Sequence, residues 1–213
     1  MNPAFLVVLV VGVAGSSAGA QEAIVAVTHN DPTGVVAPGQ TIQISVTVSW
    51  TASGSFLEEI RGGVRAIPNL GSASDPRFPY MHYSATPSTI VNPGTVVGGG
   101  VVGLHLQAYG AIWVWSSFPE PWNHSHGFEV LRFDWTAPLT PASVSFEFAP
   151  DPAAPNPTFL GPITVTPFTV PTTFLGTSLT VIPAPPVAAV AGLGLALSAR
   201  RRRRPARERH AAW

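Results

Sequence analysis

Thr41-Ile42-Gln43-Ile44-Ser45-Val46-Thr47-Val48-Ser49-Trp50 alternates without a break over ten residues. Its five apolar side chains alternate with five polar ones, and only an extended strand places Ile42, Ile44, Val46, Val48 and Trp50 on one face. The same period of two recurs at Val144, Phe146 and Phe148, and again at Leu131, Phe133 and Trp135. Further strands are expected at Ile24 to His29, Phe56 to Ala66, Val101 to Tyr109, Ile112 to Ser116, Ile163 to Val170 and Ser178 to Ile182. Pro167 demotes its run to a sheet edge or a bulge, because proline cannot donate to a ladder. Pro38-Gly39 and Pro93-Gly94 suit the central positions of type II turns between antiparallel strands, where proline presets φ and glycine takes the positive φ that follows. Gly98-Gly99-Gly100 precedes a strand and reads as a bulge or tight bend. No helical period appears between Ala23 and Val181, so the class is all-β, a single antiparallel β-sandwich.

The charge is distributed unevenly. Gln21 to Pro183 holds ten acidic residues against four arginines, a formal charge of −6, while the remaining arginines crowd the C-terminus. There is no lysine, and this acidic stretch is a weak candidate for polyanion binding. With no cysteine, disulfides, thiolate metal sites and thiol nucleophiles are excluded, and stability must come from the core. Some 160 residues bury about 70% of their unfolded surface, enough for one domain.

The two ends read as addresses. Phe5 to Ala14 is an apolar core and Ala18-Gly19-Ala20 supplies small residues for a signal peptidase, so residues 1–20 are expected to be a signal peptide with the mature chain starting at Gln21. The sandwich domain spans 21–182. Residues 183–204 follow as a proline hinge, an apolar run and a basic block, and 205–213 as a basic cytoplasmic tail. The apolar run, Val187 to Ala199, reaches roughly 20 Å as a helix, short of a bilayer's ~30 Å core. Flanking prolines, snorkelling arginines and local thinning of the bilayer extend it. A transmembrane helix with its arginines in the cytoplasm fits the positive-inside rule; the alternative is a buried helix followed by a solvated basic tail. Nucleic acid is not an expected partner, since these arginines follow an apolar helix and lack interleaved aromatics.

Pro183-Ala184-Pro185, the Ala-Gly-Leu-Gly-Leu-Ala-Leu run and Arg200, Arg201, Arg202, Arg203 and Arg204 together resemble the C-terminal sorting signal of PEP-CTERM proteins, over about thirty residues. That family has Pro-Glu-Pro where this chain has Pro-Ala-Pro, so the glutamate is absent. The resemblance implies an exosortase-type processing enzyme as partner and delivery to the cell envelope or the extracellular matrix. Val36-Ala37-Pro38-Gly39-Gln40-Thr41, running into the long alternating strand, resembles bacterial immunoglobulin-like and cohesin-like sandwiches over about twenty residues.

Two proline-containing aromatic stretches, Asn69 to Pro87 and Phe118 to Gly127, break the strand rhythm and are expected as long loops, the usual place for binding on a rigid sandwich. Pro150 to Pro157 reads as a stiff spacer or edge connection. His124 and His126 form an His-x-His pair, which on extended backbone points both imidazoles one way, with Glu129 and either His82 or His105 available as further metal ligands. Two unliganded histidines in a solvated loop are the plainer reading of the same residues. Trp113, Trp122 and Tyr80, with Trp115, Tyr83 and Tyr109, are candidates for a platform that stacks on sugar rings of an extracellular polysaccharide. Trp50, Trp135 and one of Trp113 and Trp115 are assigned to the core, leaving Trp122 as the exposed one. Acid-base chemistry has thin support: Glu58 and Glu59 diverge from one strand with no partner two residues away, and Glu129 and Asp134 fall on opposite faces of theirs. The expectation is a non-enzymatic, cofactor-free structural or adhesive module of the cell surface. A carbohydrate-binding module and a metal-dependent enzyme stand as the second and third readings.

Overall fold

The computed structural model describes residues 21–51, 55–79, 89–108, 126–161 and 166–183. In chain order its strands are β1 (Ala23–His29), β2 (Val35–Val36), β3 (Thr41–Trp50), β4 (Phe56–Ile67), β5 (Ser72–Arg77), β6 (Thr89–Asn92), β7 (Thr95–Val97), β8 (Gly100–Ala108), β9 (His126–Thr136), β10 (Ala142–Pro150), β11 (Thr158–Leu160), β12 (Phe168–Thr169), β13 (Thr172–Leu175) and β14 (Thr177–Val181). There is no helix among the described residues. The signal peptide, the strand expected at Ile112 to Ser116, and everything from Ala184 to Trp213 lie outside them.

One sheet has the order β13-β1-β3-β9-β5. The second runs β12-β11-β4-β10-β14-β2, with β8 on the opposite edge of β4 and β6 and β7 outermost on β8. Alternation on β3 buries Ile44, Val46 and Val48 completely, and Trp50 almost so. They meet Val64, Val144, Phe146 and Phe159 of the other sheet in one core. Two aromatic pairs pin the layers together. Trp135 stands edge-on to Phe146 at 5.2 Å, and Trp50 lies 5.4 Å from Phe159. Both tryptophans are therefore core residues, as their phase on the strand required.

Several expectations need correction. The sandwich is not purely antiparallel: β13 runs parallel to β1, and β2 parallel to β14. Both the N-terminal and C-terminal segments pass from the first sheet to the second side by side, the latter at Gly176, where a Cβ would sit 2.7 Å from the Phe146 carbonyl oxygen. Alternation tells which face a residue takes but not which way its neighbour runs. Residues 69–87 are not one loop, for β5 forms there at the edge of the first sheet. Its sequence Ser-Ala-Ser-Asp-Pro-Arg needs only Ala73 to face inward, so no apolar alternation announces it. Pro93-Gly94 does not reverse the chain, because β6 and β7 are collinear and both pair with β8. Pro38-Gly39 does turn, with Gly39 at φ +73° and Gln40 N–H donating to the Ala37 carbonyl. Gly98-Gly99 is the two-residue turn of the β7–β8 hairpin, and β12, next to Pro167, is an edge strand.

The strand directions give the sandwich two unlike ends. At one, Trp50 pairs with Ala23, His126 with Ser49, and Thr89 with Ala108; β5 finishes there at Arg77. The described residues that flank 52–54, 80–88, 109–125 and 162–165 all stand at this end. The opposite end carries the Ala37 to Gln40 turn, Gly98-Gly99 and the Ala137 to Pro141 connection. The chain leaves the fold here, where Ile182 N–H donates to the Val36 carbonyl at 3.1 Å just before Pro183.

Candidate functional site

Tyr80, His82, Trp113, Trp115, Trp122 and His124 lie outside the described residues, as do Ala184, Pro185 and the arginines from Arg200 to Arg204. His126 opens β9 by its backbone. The two other proposed metal ligands are held apart: His105 is on the outer face of the β4 sheet and Glu129 on the outer face of the β3 sheet, with the core between them. Each already has a partner. His105 Nε2 is 2.9 Å from Glu59 Oε1, while Glu129 accepts from Ser45 Oγ at 2.6 Å and pairs with Arg132.

Glu129 and Asp134 share a face, against expectation. A bulge in β9 is the cause: Val46 pairs with Leu131 and Thr47 with Glu129, so Val130 is an extra residue and the alternation changes phase. Phe128, Val130, Leu131, Phe133 and Trp135 all turn inward as a result, and Glu129, Arg132 and Asp134 all turn outward. Arg77 bonds Asp75 Oδ2 at 2.5 Å and lies 3.4 Å from Asp134. That face is a set of closed ion pairs.

The β4 sheet differs. A register shift between Thr158 and Phe159 makes Glu58 the extra residue of β4, so Glu58 and Glu59 do not simply diverge. Glu58 Oε2 accepts from Thr158 Oγ1 at 3.2 Å. Burial, which penalises the charged form, raises the Glu58 pKa; the Thr158 bond opposes this and the neighbouring Glu59 charge adds to it. Glu59 does have a partner two residues on, since Arg61 Nε donates to its Oε1 at 2.6 Å and Arg61 Nη2 reaches the same oxygen at 2.5 Å. A raised carboxyl pKa means that the folded state holds the proton more tightly than the unfolded chain does. Glu58 therefore contributes stability below its ordinary pKa, and loses it as pH rises through the window up to the raised value. Glu58→Gln should melt at a higher temperature than the parent near pH 7, and thermal melts between about pH 3 and about pH 7 should show the advantage shrinking toward acid. An advantage that grows toward acid would contradict this assignment.

Beyond Arg61 comes Gly62-Gly63, a second irregularity, where β4 slips against β8. Gly62 has φ +153°, and a Cβ on Gly63 would lie 2.3 Å from the Val101 carbonyl oxygen, so neither position admits a side chain without moving backbone. A groove of about 260 Å³ lies beside them on the outer face. Its floor is Gly63, Val102 and Ala149, and its walls carry Arg61, Arg65, His105 and Asp151. Sequence reasoning missed this site. The available signal was Arg61-Gly62-Gly63-Val64-Arg65, two arginines on one strand face around a glycine pair, but His105 and Asp151 arrive only through strand pairing.

No protein-family model matches the chain, and no curated protein matches it. Solved structures similar to it include cohesins. The solution structure of CaCohA2 from Clostridium acetobutylicum is 16% identical with a TM-score of 0.49, covering 78% of this chain and 94% of that one. The seventh ScaB type I cohesin from Pseudobacteroides cellulosolvens is 8% identical with a TM-score of 0.49, covering 79% and 96%. The second type II cohesin module of the ScaA scaffoldin from Acetivibrio cellulolyticus is 11% identical with a TM-score of 0.48, covering 79% and 99%.

Proposed function

We propose that this protein is an exported, non-catalytic β-sandwich that serves a structural or adhesive role at the cell envelope or in the extracellular matrix, delivered by residues 1–20 and sorted by the PEP-CTERM-like tail from Pro183. The observation that carries the reading is the polarity of the sandwich. The chain exits toward its tail at one end, while the strands feeding 80–88 and 109–125 converge at the other. A module tethered through Pro183 thus directs the strand ends that lead to Tyr80, Trp113, Trp122, His124 and His126 away from the membrane. In this reading a helix at 187–199 holds the protein in the bilayer, with Arg200 to Arg204 in the cytoplasm, until an exosortase-type enzyme acts at Pro183-Ala184-Pro185. The polarity also favours a second reading, in which the same distal end binds extracellular polysaccharide. Fractionating cells that make the protein tests the first reading: it is expected in the envelope or the culture fluid, and recovery from the cytoplasm would sink it.

A further inference from the structure

Four arginines lie within residues 21–183, and three are neutralised locally: Arg61 by Glu59, Arg77 by Asp75 and Asp134, Arg132 by Glu129. Arg65 is exposed and makes no ion pair or hydrogen bond among the described residues, and it stands on the groove with Arg61. Glu59 engages Arg61 through Nε and Nη2, which leaves Nη1 to a ligand. Two guanidinium groups beside a floor of small and apolar residues suit a planar carboxylate, which arginine grips with paired N–H donors.

The rest of the lining narrows the ligand. Asp151 Oδ1 already accepts from Ala153 N–H at 2.9 Å, and its other oxygen is an acceptor on the rim. That carboxylate repels a multiply charged phosphate but accepts hydroxyl groups. The floor of Gly63, Val102 and Ala149 is apolar, as the C–H face of a pyranose is. Drug-sized ligands occupy pockets of roughly 300–1,000 Å³, so about 260 Å³ suits a single sugar unit of a chain that continues beyond the open groove. We infer that the groove between β4, β8 and β10 binds the carboxylate of a uronic acid unit in an acidic polysaccharide, with Arg65 as its principal anchor. The net charge of −6 disfavours diffuse polyanion binding, whereas a single carboxylate gripped at Arg65 is a local contact.

This inference concerns a site apart from the distal end and holds or fails whatever the protein's cellular address. Its test is titration calorimetry of the full-length protein in detergent with an oligogalacturonate, beside a neutral galactose oligomer of equal length. The oligogalacturonate should bind and the neutral oligomer should not. Arg65→Ala should weaken binding at least about tenfold, the loss expected for a paired arginine-carboxylate contact. Arg132→Ala, on the far sheet, should bind as the parent does, and Asp151→Asn should bind the carboxylate more tightly. Equal binding of the neutral oligomer, undiminished binding by Arg65→Ala, or no binding at millimolar oligogalacturonate would each overturn the assignment.

Discussion

Trp135→Ala should cost about 3–5 kcal/mol of folding stability, a large part of the roughly 5–15 kcal/mol that holds a domain together. The indole is fully buried on β9, edge-on to Phe146 of the facing sheet, and its Nε1 donates to the Leu70 carbonyl at 3.1 Å. It also fills the space that two glycines leave open, since a Cβ at Gly71 would come within 2.5 Å of the ring and one at Gly99 within 3.1 Å of its Nε1. Removing the ring empties a cavity between the sheets and strands the Leu70 oxygen. Trp135→Phe keeps most of the apolar contact and loses the hydrogen bond, so it should cost only about 1–2 kcal/mol. Urea unfolding followed by circular dichroism separates the two. Equal losses would mean that the sheets are not joined through this ring.

Gly63→Val should be comparably damaging for a different reason. Its side chain would begin 2.3 Å from the Val101 oxygen and 2.9 Å from the Val102 Cα, both backbone atoms of the paired strand β8. The strand must move, taking the β4–β8 ladder with it, at an expected cost of about 3 kcal/mol or more. Gly103, across the groove, is the control. It has φ +74° but open space around its Cβ, so Gly103→Asn, which tolerates that backbone region, should cost roughly 1 kcal/mol or less. Thermal melts rank the two variants, and amide exchange on β8 should rise sharply in Gly63→Val alone. A Gly103→Asn protein as unstable as Gly63→Val would contradict the steric account.

How far the sequence could be read depended on burial. On β3 and β10 one face is dry and the other wet, so alternation named the core side chains individually, from Ile42 to Trp50 and from Val144 to Phe148. Edge strands obey no such rule. Strands β5, β6 and β7 have little to bury on one side, and Ser72 to Arg77 and Thr95 to Val97 carry no pattern that sets them apart from loop. Bulges defeat alternation in another way: one inserted residue, Val130, moved Glu129 to the face of Asp134, and Glu58 did the same for its neighbour Glu59. The groove was illegible because its chemistry is non-local. Arg61 and His105 meet across a ladder, forty-four positions apart in sequence, and nothing near either residue announces the other.

Export and sorting are read together by intact mass spectrometry of the protein taken from the envelope or culture fluid of its own host. A mass running from Gln21 to a C-terminus near Pro183 is the predicted result, with both terminal signals removed and the sandwich left as the working part. A mass running from Met1 to Trp213 would contradict it, since neither segment would then have been processed as an address.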